Sequence, residues 1–319
     1  MARLYRREIS VALAIVSVWL ALALIAPGFF TVEDQRDLLM ANMPVLIVAL
    51  GMTLVILTGQ IDISVGSLFA VCSVAAGAFA KSGLPLPVVA LAVLLLGAGL
   101  GAINGALVAY VRIPSIVVTL SSMVALRDGL RWITQGAWVQ DLPRGFQWFG
   151  WTLLGSEALT AGVAATLFAC VAFGLRHLAA GRTVYATGSN EAAARLVGID
   201  TRLVTFCVFA AAGGLTGCAA LLNSVRFNQI PSNAGLGLEM KVIAAVVVGG
   251  AAITGGRGTV TGTLLGVILL GTIGPALTFL GIDAYWEKAI QGAIILAAVS
   301  MDAARARHTV PAGGALRRA

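Results

Sequence analysis

Asp62 is the residue in this chain whose chemistry is hardest to place. It stands in Gly59-Gln60-Ile61-Asp62-Ile63-Ser64-Val65-Gly66-Ser67, between two isoleucines and with long apolar runs on either side. A carboxylate at bilayer depth costs about 2.5–3.5 kcal/mol even on the lenient insertion scale, so it needs a partner or water. Two readings fit. In the first, Asp62 lines a polar pathway or holds a broken helix open, with Gln60, Ser64 and Ser67 as uncharged hydrogen-bonding neighbours. In the second, Asp62 or Ser64 is a solvent-exposed cap for the helix that follows, and nothing passes it. Asn42, Thr53, Asn104, Thr119, Ser121, Ser122 and Asn223 stand singly in apolar runs. Most read as interhelical hydrogen-bonding groups worth ~0.6–2 kcal/mol each, with Asn104 a further pathway candidate.

The chemistry that is missing narrows the function. No Gly-Lys-Ser or Gly-Lys-Thr triplet occurs, so ATP binding by a P-loop is not expected. Gly255-Gly256-Arg257-Gly258 reads as a tight turn rather than a phosphate cradle. The only histidines, His177 and His308, lie in polar stretches, and Cys72, Cys170, Cys207 and Cys218 sit singly without CxxC spacing. A histidine-based hydrolase, a metal site or a redox centre therefore has almost no material, and no cofactor is expected. No span interior carries a chain of carboxylates and histidines of the kind used in proton coupling. A pathway of amides and hydroxyls suits a neutral, hydroxyl-rich solute, with energy supplied from outside the chain.

A second polar stretch, Arg176 to Arg202, separates two long apolar runs. Within it Ser189 or Asn190 can cap a helix, Glu191 suits the positive end of its first turn, and Gly198 ends it after about two turns. So short a helix is marginal alone in water, which makes it a docking element or a plain connector between two spans.

The elements that carry these stretches follow from composition. Of 319 residues, 59% are hydrophobic and 11% charged, and the mean hydropathy is +0.96, which places the chain among integral membrane proteins. Glycine reaches about 12% of the chain against a typical ~7%, as expected of closely approaching helices. Ten crossings are expected, in an all-α polytopic bundle forming one transmembrane domain over residues 1–319: 9–26, 38–57, 65–80, 88–109, 114–126, 151–175, 203–222, 240–253, 260–280 and 286–299. The third, fifth and eighth are short enough to be broken or re-entrant. The basic N-terminus before the first run lacks a small-x-small cleavage site, so that run reads as a retained span.

Charge sets the orientation. On this topology 13 of the 21 basic residues fall on the side holding both termini and the 176–202 loop, and 8 on the other. The richer side, including the 300–319 tail, is expected in the cytoplasm. The basic residues are scattered, with no run that suggests nucleic acid. A weak internal echo also appears. Thr58-Gly59 and Gly66-Ser67-Leu68 recur as Thr254-Gly255 and Gly262-Thr263-Leu264 at an offset of 196 residues, a pattern that fits discontinuous helices.

Five blocks in order, TGQIDISVGS (58–67), INGALVAYVRIPSIVVTL (103–120), YATGSNEAAARLVGI (185–199), the run from Gly237 to Gly266, and YWEKAIQGAIILAAV (285–299), resemble the permease subunits of bacterial ABC sugar importers. Within that family the chain looks most like rhamnose and autoinducer-sugar permeases, with ribose and xylose permeases further away. The resemblance implies a bacterial inner-membrane protein that pairs with a second permease, with cytoplasmic ATPase subunits and with a periplasmic sugar-binding protein. It maps the family's coupling segment onto Gly188, Asn190, Ala193, Ala194, Arg195 and Gly198, and Glu191 in the first turn of the short helix joins them as a coupling candidate. The chain departs from the family's TGGIDLSVG loop at Gln60 and Ile63. The rival readings are an ion-coupled secondary transporter of a small polar solute and an intramembrane enzyme, the latter opposed by the lack of a paired nucleophile and base.

Overall fold

The computed structural model describes residues 2–283 and 285–308; residues 309–319 of the expected tail lie outside the described residues. Twelve α-helices account for the apolar runs: α1 (Ala2–Ile25), α2 (Val32–Leu57), α3 (Val65–Lys81), α4 (Leu86–Ala109), α5 (Ser115–Thr134), α6 (Leu153–His177), α7 (Ala179–Ser189), α8 (Glu191–Leu196), α9 (Thr201–Ser224), α10 (Leu238–Val248), α11 (Val260–Phe279) and α12 (Tyr285–His308). The chain is all-helical among the described residues, apart from one isolated antiparallel bridge between Val139 and Ile230.

Several helices run longer than the apolar pattern suggests, and for α2 and α5 the reasons are local. The acidic stretch before Leu38 is not a loop but the first turns of α2. Thr31 accepts a hydrogen bond from the Asp34 N–H at 3.2 Å, and Glu33 and Asp34 sit at the positive end of the helix. α5 continues through Arg127 and Asp128 because both charges find partners. Arg127 Nη2 lies 3.6 Å from Glu239 Oε1 on α10, and Asp128 pairs with Arg131 at 3.7 Å. The helix then stops at Gln135, which turns left-handed at φ 52°.

The eighth expected crossing is broken. α10 has 11 residues, about 16 Å, roughly half of a hydrocarbon core. The chain leading into it runs without helix down the side of α3, from Ile230 against Gly77 to Gly235 against Gly66 and Phe69. That is a descent of about 16 Å along the helix axis. Irregular backbone at such depth is tolerated where it packs on protein: Ile230 and Ser232 of the segment are buried, and Val242, Ala244, Ala245 and Val246 of α10 are fully buried.

Contacts between helix ends define two ends of the bundle. At one, Glu8 accepts hydrogen bonds from Thr259 and Thr261, Gly256 N–H donates to Leu57 O, and Gln60, Val108, Pro114, Glu191 and Thr205 line one cleft. At the other, Arg36 pairs with Glu157 at 2.5 Å, Arg226 Nη1 donates to Met40 O at 2.9 Å, and Lys241 lies 3.7 Å from Glu287. By length and composition, six helices can cross a membrane: 8–25 within α1, and α2, α4, α6, α9 and α11. The 17 residues of α3 and the 11 of α10 fall short.

The core lies around α2. Of its apolar window 72% is buried, against 17% for α1 and for α6, whose apolar sides face outward as lipid contact requires. α4 and α9 form the tightest seam. A Cβ on Gly101 would fall against Phe209 O and 3.0 Å from Gly213 Cα, and one on Gly213 would fall against Gly97 O. Small residues spaced four apart on both helices let the backbones touch, which is how helices associate where lipid removes the hydrophobic drive.

Candidate functional site

Several buried polar groups gather around the turn between α2 and α3. Asp62 is 1% exposed, and its Oδ1 accepts two hydrogen bonds from Ser64, from N–H at 2.9 Å and from Oγ at 2.6 Å. Asn104 Nδ2 of α4 donates to Ser64 Oγ at 2.9 Å, and Asn104 Oδ1 accepts from Ser122 Oγ of α5 at 2.5 Å. Ser115 Oγ accepts from Ile61 N–H at 3.3 Å, and Thr119 Oγ1 lies 3.4 Å from Ile61 O. The turn between α2 and α3 is thereby tied to α4 and α5. The cap reading is corrected in one respect: Asp62 is enclosed rather than solvent-exposed, and Ser64, at the cap position of α3, makes no side-chain cap bond. No basic side chain pairs with Asp62 among the described residues.

Gln60 does not join this network. It faces a cleft of about 400 Å³ with Arg112, Glu191, Arg195 and Arg202, beneath the short helix of the 176–202 stretch. That stretch holds two helices where the sequence suggests one. α7 turns off α6 at Leu178, and Tyr185 OH donates to Gly258 O at 2.9 Å. Burial pushes the Tyr185 hydroxyl above its ordinary pKa, so it stays a protonated donor at neutral pH.

α8 is capped as the residue types require: Asn190 Oδ1 accepts from Ala193 N–H at 3.0 Å. Glu191 pairs with Arg195, and both bond Thr201 Oγ1, at 3.0 and 2.9 Å, so α8 is fastened to the start of α9. Gly198, at φ 85°, closes it with Ile199 N–H donating to Ala194 O at 3.1 Å. Ala194 faces the bundle, while Ala193 is exposed and Leu196 and Val197 are 89% and 76% exposed. An apolar ridge is left without a partner among the described residues.

Gly188 sits where three segments meet. A Cβ there would land on Leu57 O and lie 2.7 Å from Gly256 N, and a Cβ on Gly255 would lie 2.7 Å from Gly59 N and 2.9 Å from Gly188 O. The two Thr-Gly turns of the internal echo therefore touch each other and the end of α7. α3 and α11 begin just after them, so the two copies of the pattern point the same way.

A model of the family described as "Branched-chain amino acid transport system / permease component" matches residues 36–299. The chain belongs to this permease family. The autoinducer 2 import system permease protein LsrC of Salmonella typhi is 35% identical to the permease over 296 residues, 93% of this chain and 85% of the relative. Its namesakes in Escherichia coli K12 and Enterobacter sp. strain 638 are also 35% identical, covering 93% and 94% of this chain and 86% and 87% of their own lengths. No solved structure matches the permease.

Sequence reasoning missed one pair of the permease, Arg127 with Glu239. Both are largely buried, and neither Arg127 Nη2 nor Glu239 Oε2 makes a hydrogen bond. Each stands at the edge of an apolar run with opposite sign, which is the signal that could have joined them. For Asp62 the geometry separates charge from hydrogen bonding. Asp62→Asn keeps an acceptor for both Ser64 donors and is expected to retain near-normal thermal stability, whereas Asp62→Ala strands them at a cost of about 1–3 kcal/mol. Melting of the purified protein checks the split, and uptake by Asp62→Asn at wild-type rate would show that the charge has no part in transport.

Proposed function

We propose that the permease is the membrane-spanning subunit of an ATP-driven importer that passes a neutral sugar from a periplasmic binding protein to the cytoplasm. The observation that carries this is the 35% identity to autoinducer 2 import permeases along 93% of the chain. On this reading the described helices other than α7 and α8 make ten crossings within one transmembrane domain, supported by the alternation of their ends between the two poles of the bundle. The Gly188 end faces the cytoplasm, supported by the 13 to 8 split of basic residues. Gly188, Asn190, Glu191, Ala193, Ala194, Arg195 and Gly198 then form the coupling element, with α8 presenting its apolar ridge to an ATPase subunit and a second permease completing the pathway. Asp62, Ser64 and Asn104 brace the inner mouth of that pathway, and Gln60 lines the cleft behind the coupling helix.

Proteoliposomes holding the permease with its ATPase and binding protein test this with labelled rhamnose, ribose, xylose and autoinducer 2. ATP-dependent uptake of at least one of these, unaffected by ionophores, is expected. Uptake driven by an ion gradient without ATP would overturn the reading in favour of a secondary transporter, and no uptake of any of them would overturn the substrate class.

A further inference from the structure

The end of the bundle opposite Gly188 holds a cleft of about 290 Å³, lined by Ser73, Trp138, Asn223, Phe227, Asn228 and Gln229 among others. Among the described residues no charged side chain lines it. We propose that this cleft is a sugar-binding vestibule of the permease, the first surface of this chain that a neutral sugar ring meets; the proposal rests on the importer reading above.

The walls are fixed in place. Val139 and Ile230 exchange both backbone hydrogen bonds at 2.9 Å, which sets Trp138 beside Gln229. Trp148 N–H donates to Val225 O at 2.9 Å and Ser232 Oγ to Gly136 O at 3.1 Å, so the 135–151 loop is strapped to the segment that descends toward α10. Arg226 lies 5.7 Å over the Phe227 ring, which holds that ring at the rim.

The lining matches one ligand chemistry. Trp138 and Phe227 are each 48% exposed and offer ring surface to the C–H face of a sugar. The side-chain amides of Asn223, Asn228 and Gln229 make no hydrogen bond within the described residues, leaving donors and acceptors for hydroxyls. Ser73 on α3 decides the matter. It is 1% exposed, its Oγ has no partner, and it lies at the floor of the cleft. A buried hydroxyl left unpaired costs about 1–3 kcal/mol, which a ligand hydroxyl recovers. The volume is at the small end of the ~300–1,000 Å³ range of ligand sites, enough for one ring and not for an oligosaccharide. The cleft at the Gly188 end, lined by Arg112, Arg195, Arg202 and Glu191, has the wrong character for a neutral ring.

The test uses the assembled transporter in membranes, with Cys72, Cys170, Cys207 and Cys218 replaced by alanine and Asn228→Cys introduced. A membrane-impermeant maleimide is added from outside while uptake of the transported sugar is measured in parallel. Labelling is expected to be rapid and to slow severalfold with the transported sugar but not with a sugar that is not transported. A Leu84→Cys control, exposed at the same end and outside the cleft, should be unaffected. Trp138→Ala is expected to cancel the protection at unchanged abundance, and Trp138→Phe to restore it. Intact uptake with no protection, or an Asn228→Cys position closed to the external reagent, overturns the vestibule and leaves the importer reading standing. Absence of uptake of every sugar tried overturns the sugar substrate class, and the vestibule with it.

Discussion

Ala193→Asp is expected to leave the permease in the membrane at normal abundance and to abolish both the proposed sugar uptake and substrate-stimulated ATP hydrolysis. The substitution is well placed to isolate docking from folding. Ala193 is the third helical residue of α8, where its N–H is already capped by Asn190, and an acidic side chain in the first turn favours a helix by about 0.3–1 kcal/mol. The helix is therefore not weakened, and the bundle is untouched because Ala193 is exposed. What changes is the surface offered to a partner, since a charge now stands beside the Leu196 and Val197 ridge and must lose its water on docking. Uptake, ATP hydrolysis with loaded binding protein, and immunoblots of the membrane fraction read the three quantities together. Lost uptake with fully retained stimulation would move the defect to the translocation path, and full activity would falsify the assignment of α8 as the coupling helix.

Gly188→Val is the second large effect, and it acts through backbone rather than surface. Its Cβ would overlap Leu57 O and crowd Gly256 N, the two atoms that bond each other at 2.9 Å across the Thr-Gly turns. Overpacking against side chains costs about 1–3 kcal/mol, and backbone atoms on both sides have less room to yield. The expected outcome is that α7 lifts from the junction. Uptake falls to background, and basal ATP hydrolysis loses its response to loaded binding protein, while insertion of the long helices persists. Wild-type uptake by Gly188→Val would show that the three segments need not stay together.

Much of this was legible in the sequence because bilayer helices announce themselves by apolar length. The ends of α4 at Ala109 and of α2 at Leu57 fall where the runs stop, and the Asn190 cap marks α8 by residue type alone. The misses share a cause, which is polarity hidden by a partner elsewhere in the chain. The apolar run of α5 stops before Arg127, and the partner that lets the helix continue, Glu239, is more than a hundred residues away. α7 went unread because Ala179–Ser189 owes its place to Gly181 turning closely against α6 and to Tyr185 reaching Gly258. Nothing local in the sequence shows that the non-helical descent from Ile230 to Gly235 lies beside α3.

The glycine seam between α4 and α9 has a mechanical consequence. Two helices whose backbones touch cannot slide without raising the energy of every contact, so any motion is expected to carry them together as one lever. α9 spans 24 residues, about 36 Å, from Thr201, which α8 grips through Glu191 and Arg195, to Asn223 and Ser224 in the opposite cleft. A tilt of ~10° about one end displaces the other by about 6 Å over that length. On the proposed coupling role, a pull on the short helix would reach the opposite cleft through a single stiff arm, with no relay of side chains between them.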